Sequence, residues 1–353
     1  MRAAVLKGET ICVETMPDPT PKAGQIVLKP LCTGICGSDL SLRKQMVDLA
    51  SSFPEDQQQM VPAIVPGHEF SAEIVDIPKG IETDLRAGDR VTGLPFSHTH
   101  EGMQTIGLSP DYSGGLASLA CLDAVRSFRI PDSVPSDLAA LTEPLSVGLH
   151  AANLANRNHG PGMVIGCGPV GLAVILALTL SGRGPVMAAD FSPVRRKAAE
   201  AMGADIVIDP AESSPFERWD DLNATLYPAS PLLAREFRGR PSGLNVFECT
   251  GVPGVLNQIV TSAPPHSHVV VAGVCPHDET ITPLEAIIRE LTLEFSFAYR
   301  PEEFAACLNL IGEHPVRVRH LISSQRPLDE TGAAFDALAS NPSEIKILIN
   351  PQG

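Results

Sequence analysis

The sequence predicts an α/β protein that combines a mainly β part with a doubly wound parallel sheet. Three observations carry this expectation. A length of 353 residues suits two domains. The texture changes near Gly162 from short strands broken by turn residues to apolar strands alternating with helical patterns. At that change stands a glycine-rich turn of the kind that joins a strand to a helix.

Up to about Pro135, runs such as Ile26–Lys29 and Phe70–Val75 read as short strands, and Gly88-Asp89 before Arg90-Val91 as a turn. From Gly162 the strand candidates are Met163–Gly166, Val186–Asp190, Ile206–Ile208, Leu244–Glu248, His268–Gly273 and Leu291–Phe297. Helical runs such as Val170–Leu180 and Pro193–Met202 lie between them. Strands linked by crossover helices run parallel, so 162–297 is expected to form a six-stranded doubly wound sheet. The tail returns to a helix and short strands, ending in Ile345–Ile349. Asp209–Gly243, which holds the single tryptophan Trp219, is long for one crossover and reads as a surface excursion.

Composition narrows the function. With 26 Lys and Arg against 41 Asp and Glu, the net charge is −15. That balance argues against a nucleic-acid partner, which would call for a basic face. It does not oppose an anionic ligand, because backbone dipoles bind phosphate inside acidic proteins. The content of 44% hydrophobic residues excludes a disordered chain. The longest apolar run, Val170–Leu180, is too short to span a bilayer. A charge follows Met1 at once, so no signal peptide is expected. Eight scattered cysteines do not make a disulfide framework, and a cytoplasmic protein without membrane contact is expected.

The turn Gly166-Cys167-Gly168-Pro169-Val170-Gly171 follows an apolar strand, opens a helix, and has Asp190 at the end of the next strand. In that context it reads as a dinucleotide site. Gly166 allows the tight turn, Gly168 lets a pyrophosphate approach the backbone, and Gly171 lets helix and strand pack. Asp190 can accept hydrogen bonds from ribose hydroxyls and would repel a 2′-phosphate, which favours NAD over NADP. Arg195 and Arg196 weigh the other way, since a nearby arginine can accept that phosphate.

Three further segments carry possible metal ligands: Gly34-Ile35-Cys36-Gly37-Ser38-Asp39, Pro66-Gly67-His68-Glu69-Phe70 and Thr142-Glu143-Pro144-Leu145-Ser146. A catalytic zinc takes three ligands from Cys, His and carboxylate and keeps one position open. Together with the glycine turn about twenty residues later, these segments resemble the zinc-dependent medium-chain alcohol dehydrogenases, and Glu143–His150 resembles the polyol and sorbitol branch. The likeness runs over nearly the whole chain. It implies a GroES-like catalytic domain from 1–150 and 298–353, with a Rossmann NAD-binding domain over 151–297.

The resemblance also implies roles. Cys36 and His68 match metal ligands, Glu69 the adjacent ligand carboxylate, and Glu143 a glutamate that binds zinc or holds its water. Ser38 matches the hydroxyl that relays the alcohol proton. Val170, Asp190 and Arg195 match nucleotide contacts, and Cys249-Thr250-Gly251, Ala272-Gly273-Val274 and Ser296-Phe297-Ala298 match segments near the nicotinamide. The implied reaction moves hydride from a small secondary alcohol, diol or polyol to NAD, with zinc lowering the alcohol pKa. A homodimer or homotetramer is implied as well.

The sequence departs from the family pattern in several places. Gly93–Gly115 lacks the four cysteines that hold a structural zinc, so one catalytic zinc per subunit is expected; His98 and His100 there read as a surface loop. Ser41 stands where a histidine often ends the proton relay, Leu42 where sorbitol dehydrogenases carry a tyrosine, and Ala298 where they carry an arginine. Lys44–Met60 reads as a decorative insertion. The competing readings are a zinc-free enone or quinone reductase and a non-catalytic nucleotide-binding protein of the same fold.

Overall fold

The computed structural model describes residues 1–54, 61–99, 102–155, 160–222 and 243–353. Its chain divides into two compact units, Met1–Glu143 with Phe304–Gly353, and Pro144–Glu303. The family resemblance implies bounds at 150 and 298. The observed divisions fall instead within two continuous helices, Thr142–Leu154 and Pro301–Glu313.

In the first unit, β1 (Arg2–Lys7) and β2 (Thr10–Thr15) form an antiparallel hairpin. They are followed by β3 (Gln25–Gly34), α1 (Gly37–Ser51), β4 (Glu69–Asp76), β5 (Arg90–Gly93), β6 (Phe96–Thr99), β7 (Gly102–Thr105), β8 (Ala120–Asp123) and β9 (Ser127–Arg129). Two helices then follow, α2 (Ser136–Ala139) and α3 (Thr142–Leu154). Strands β3 and β4 pair antiparallel through most of their length, with Gly34 opposite Glu69. Alternate residues Ile26, Leu28, Phe70, Ala72 and Ile74 turn into a shared core.

One element breaks the expected run of short strands. The helix α1 starts directly after Cys36 and takes in the first part of the suspected insertion. Its start is capped, since Asp39 Oδ2 accepts the Cys36 backbone N–H at 2.8 Å. Val47 is its only β-branched residue, which leaves little to oppose the helix. Met46 and Leu42 pack against Leu6, Val61 and Ile64, so one face of α1 joins a core while Lys44, Gln45, Asp48, Leu49 and Ser51 stay exposed. The rest of that insertion, from 55 to 60, lies outside the described residues, as does His100 of the histidine pair.

The second unit alternates β10 (Gly162–Ile165), α4 (Pro169–Leu180), β11 (Val186–Ala189), α5 (Pro193–Met202) and β12 (Ile206–Ile208), then β13 (Asn245–Glu248), α6 (Val255–Ser262), β14 (His268–Val271), α7 (Pro283–Arg289) and β15 (Thr292–Phe295). All six strands are parallel, in the order β12-β11-β10-β13-β14-β15. Chain order reverses between β10 and β13, and ligands of open parallel sheets sit beyond the carboxyl ends of strands at such a point. The central strands are buried along their whole length, which explains their unbroken apolar runs. The excursion after β12 is not wholly superficial. Trp219 and Leu222 are buried in the core beside Met163, Met187 and Val246, while 223–242 lies outside the described residues. An indole with so much apolar surface gains more from burial than from exposure.

The chain re-enters the first unit through α8 (Pro301–Glu313) and α9 (Pro315–Val318), then β16 (Ile322–Pro327), α10 (Thr331–Ser340) and β17 (Lys346–Asn350). Strand β17 joins the edge of β3, with Leu348 opposite Gly34. That pairing ties the end of the chain to the segment carrying Cys36. No described helix is long and apolar enough to cross a membrane.

Candidate metal centre and nucleotide-binding turn

Cys36, His68 and Glu69 converge because β3 and β4 end side by side. With Gly34 opposite Glu69, the residues just past β3 face those just before β4. Ligand atoms of the three lie within 4.8 Å of one another. His68 is 5% exposed and Glu69 fully buried. A thiolate, an imidazole and a carboxylate at this spacing suit zinc.

Asp39 completes the surroundings of His68. Its buried Oδ1 lies 3.4 Å from His68 Nδ1, and neither atom has a hydrogen-bond partner. A small closure would make the N–H to carboxylate bond that orients metal-binding histidines, leaving Nε2 for the metal. On the other side, Ser38 Oγ lies 3.2 Å from His68 Nε2. Burial alone would favour a neutral imidazole, but Asp39 and Cys36 beside it hold His68 well above its usual pKa. The sequence alone gives Asp39 no role; its contact with His68 appears only in the fold.

Glu69 is held by Lys346, whose Nζ donates to both carboxylate oxygens at 2.6 Å and to the Ile35 carbonyl at 2.9 Å. Burial would favour the neutral amine, yet Glu69, Cys36 and Glu143 together raise the Lys346 pKa. Lys346 belongs to no motif in the sequence. Its only signal was a charge within the otherwise apolar Ile345–Ile349. Glu143, in the first turn of α3, stands outside the close group of three, although its charge reaches Lys346. Ser38 and Ser41 are exposed on α1, whereas Leu42 packs into the Leu6 cluster and serves as core.

In the second unit the cofactor candidates follow strand ends. The turn comes after β10, Asp190 after β11, Thr250 after β13, Gly273 and Val274 after β14, and Ser296 and Phe297 after β15. Parallel pairing brings all of them to the carboxyl edge of one sheet. Gly166 sits at φ +93°, in the left-handed region. A Cβ on Gly171 would lie 1.9 Å from the Gly166 carbonyl oxygen, whereas one on Gly168 would meet nothing within 4 Å. Gly171 therefore serves packing, and Gly168, at the N-cap of α4, borders open space. Pro169 and Val170 form the first turn of that helix.

Asp190 is held by two backbone donors, Cys167 N–H to Oδ2 and Ser192 N–H to Oδ1, each at 2.8 Å. A carboxylate has further lone pairs to offer hydroxyl donors. Arg196 is committed elsewhere. It donates to the carbonyls of Asp190 and Phe191 and pairs with Asp209 at 2.8 Å. Arg195 lies in the first turn of α5, where its backbone N–H meets Ser192 Oγ. Glu248, unremarked in the sequence, is buried and accepts from Thr250 N–H, Thr250 Oγ–H and Gly251 N–H, which shapes the loop after β13.

Comparison with known proteins places both units in one family. Residues 22–132 match the alcohol dehydrogenase GroES-like domain and residues 169–313 the zinc-binding dehydrogenase family. The chain is 31% identical to (R,R)-butanediol dehydrogenase of Bacillus subtilis over 97% of its length and 96% of that protein. It is 27% identical to sorbitol dehydrogenase of Gallus gallus, over 92% of this chain and 89% of that one. The crystal structure of 2R,3R-butanediol dehydrogenase from Bacillus subtilis superposes with a TM-score of 0.81 at 29% identity, covering 99% of both chains. Zinc and a nicotinamide cofactor acting on a small-molecule alcohol follow from this kinship, and the chain belongs to the zinc-dependent medium-chain alcohol dehydrogenase family.

Proposed function

We propose that this protein oxidises a secondary alcohol, with diols and polyols foremost, to a ketone using NAD as hydride acceptor and one zinc per subunit. The observation that carries the reading is the Cys36, His68 and Glu69 group with Ser38 Oγ 3.2 Å from His68 Nε2. The butanediol and sorbitol dehydrogenases among its relatives support a substrate with neighbouring hydroxyls. Cys36 and His68 would hold the metal, with Glu69 or Glu143 as a further ligand. Zinc there supplies Lewis-acid polarisation of the alcohol oxygen.

The residues around it have separate tasks. Asp39 fixes the His68 ring, and Ser38 takes the alcohol proton and passes it to water, since Ser38 and Ser41 are both exposed. Ala298, where sorbitol dehydrogenases carry an arginine, offers no polar partner to a long polyol, which supports a short substrate. The strand-end loops, through Thr250, Gly273, Val274, Ser296 and Phe297, would hold the nicotinamide half. Val170 and Arg195 would contact the nucleotide. Gly168 and the α4 N-terminus would accept the pyrophosphate.

Asp190 supports NAD over NADP, because Arg196 is held by Asp209 and two carbonyls and is not available to a 2′-phosphate. The lack of cysteines over Gly93–Gly115 supports the single zinc. Residues 1–150 and 298–353 would form the catalytic domain, and 151–297 the cofactor domain. Apolar surface at Leu284, Ile287, Phe295 and Phe297, beside the edge strand β15, supports a homodimer or homotetramer. Eight free thiols support a cytoplasmic location.

The test is an NADH-formation screen over secondary alcohols, diols, polyols, hydroxy acids and threonine, run with NAD and NADP and with zinc content measured alongside. Activity on a diol that tracks zinc content is the expected result. Full activity after complete zinc removal would overturn the reading.

A further inference from the structure

Lys346 and Glu69 form a buried ion pair in direct contact with the metal-ligating group, and neither the proton relay nor the hydride step uses the lysine. Lys346 is 1% exposed and Glu69 fully buried. All three ammonium donors are satisfied, two by the oxygens of Glu69 and one by the Ile35 carbonyl. The carboxylate occupies space that Gly34 leaves open. Its Oε2 lies 2.3 Å from where a Cβ on Gly34 would stand, so only glycine leaves space for it there. The lysine is itself fixed by β17, whose register sets Leu348 opposite Gly34 and whose Ile347 carbonyl accepts the Ile35 N–H at 3.1 Å.

A carboxylate gripped through both oxygens by a buried ammonium keeps lone pairs free, but its position and negative charge are shared with that ammonium, so a metal must compete with the grip. Formal charge points the same way. A zinc dication with the Cys36 thiolate and one carboxylate is neutral, and a second carboxylate would make the group anionic. Lys346 lies within reach of Cys36, Glu69 and Glu143 and offsets that extra charge on Glu69. An anionic ligand set would also weaken the metal as an electron acceptor toward the alcohol oxygen.

We infer that Lys346 is a positioning residue that competes with the metal for Glu69, holding this carboxylate back and keeping a coordination position open for the alcohol. The inference rests on Cys36 and His68 being metal ligands, and it assigns Glu143 or water, not Glu69, to the remaining protein-side position at rest.

The experiment compares the cobalt(II)-substituted wild type with Lys346→Met and with the double variant Lys346→Met/Glu69→Gln. It reads the visible d–d bands, which report coordination number, and metal retention against a chelator. In Lys346→Met, Glu69 is freed to bind. Changed d–d bands and metal retention increased about ten-fold are expected, the scale on which neighbours of ligands tune metal affinity. In the double variant the bands and the retention return to those of the wild type. Wild-type bands in Lys346→Met, or weaker retention in a folded protein, would overturn the inference. Should Lys346→Met fail to fold because Glu69 is left unpaired, the double variant, which removes both charges, decides. Wild-type bands there support a Glu69 that is no ligand, and altered bands or lost metal refute it. A wild type that shows no cobalt–thiolate charge-transfer band would instead refute the metal reading itself.

Discussion

The candidate metal centre and the candidate nucleotide turn are built on opposite plans. The first is made of side chains, Cys36, His68, Glu69 and Lys346, brought together from distant parts of the chain, with Glu69 and Lys346 277 positions apart. The second is made mostly of backbone, a six-residue turn in which Gly166 and Gly171 approach one another and Asp190 is tied to the Cys167 amide. A site made of side chains depends on chemical identity and tolerates little substitution. One made of backbone depends on the absence of side chains and accepts any residue that leaves the path clear.

The sharpest test of that contrast is to remove the metal. Chelation, or Cys36→Ala, is expected to cut turnover on the order of a thousand-fold, the scale of Lewis-acid stabilisation. Dinucleotide affinity, followed by NADH fluorescence, should stay within about two-fold, because nothing in the turn is a metal ligand. Loss of both together would break the contrast.

The reverse experiment is Asp190→Ala. It removes the one side chain on which the turn depends and is expected to raise the KM for NAD about ten-fold or more, as hydrogen bonds to a charged group are lost. Discrimination against NADP should relax while zinc content is unchanged. Preference unaltered between the two cofactors would remove Asp190 from its proposed role.

A pair of glycine substitutions separates packing from ligand approach. Gly171→Ala places a Cβ against the Gly166 carbonyl oxygen and should lower stability by about 1–3 kcal/mol, read by thermal or urea unfolding. Gly168→Ala meets open space, so its stability should hold while dinucleotide binding weakens. Equal unfolding curves for the two would refute the division of roles.

The smallest expected effect lies outside both sites. Burial would raise the Glu303 pKa, but Asn153, the Arg300 N–H and His150 outweigh it and hold the carboxyl below its usual range. A lowered folded-state pKa contributes stability above the ordinary carboxylate range, lost as pH falls through the lowered value. Glu303→Gln should therefore cost under about 1 kcal/mol near neutral pH and nothing in strong acid, given partial solvent screening. Zinc content and cofactor affinity should not move.

Much of the second unit was legible because its signals are local. Met163–Gly166, Val186–Asp190 and His268–Gly273 announce buried parallel strands as short apolar runs; β11 and β14 lie within theirs, and β10 starts one residue earlier than expected. Less of the first unit could be read. The helix α1 was missed because its length rests on a cap at Asp39 and on Met46 packing against Leu6, Val61 and Ile64, contacts that no local pattern carries. Trp219 lay in a segment read as superficial, since composition does not say which way a large ring turns.

By itself the sequence determined the parallel sheet, the glycine turn with Asp190, and, through resemblance, the identity of Cys36, His68 and Glu69. Those features depend on short-range periodicity or on residue type. Only the tertiary structure decided that Asp39 faces His68, that Arg196 is already bound by Asp209, and that Lys346 grips Glu69. The pairing of β17 with β3 makes the last contact, and strand register between distant segments is set by the whole core, not by the residues it brings together.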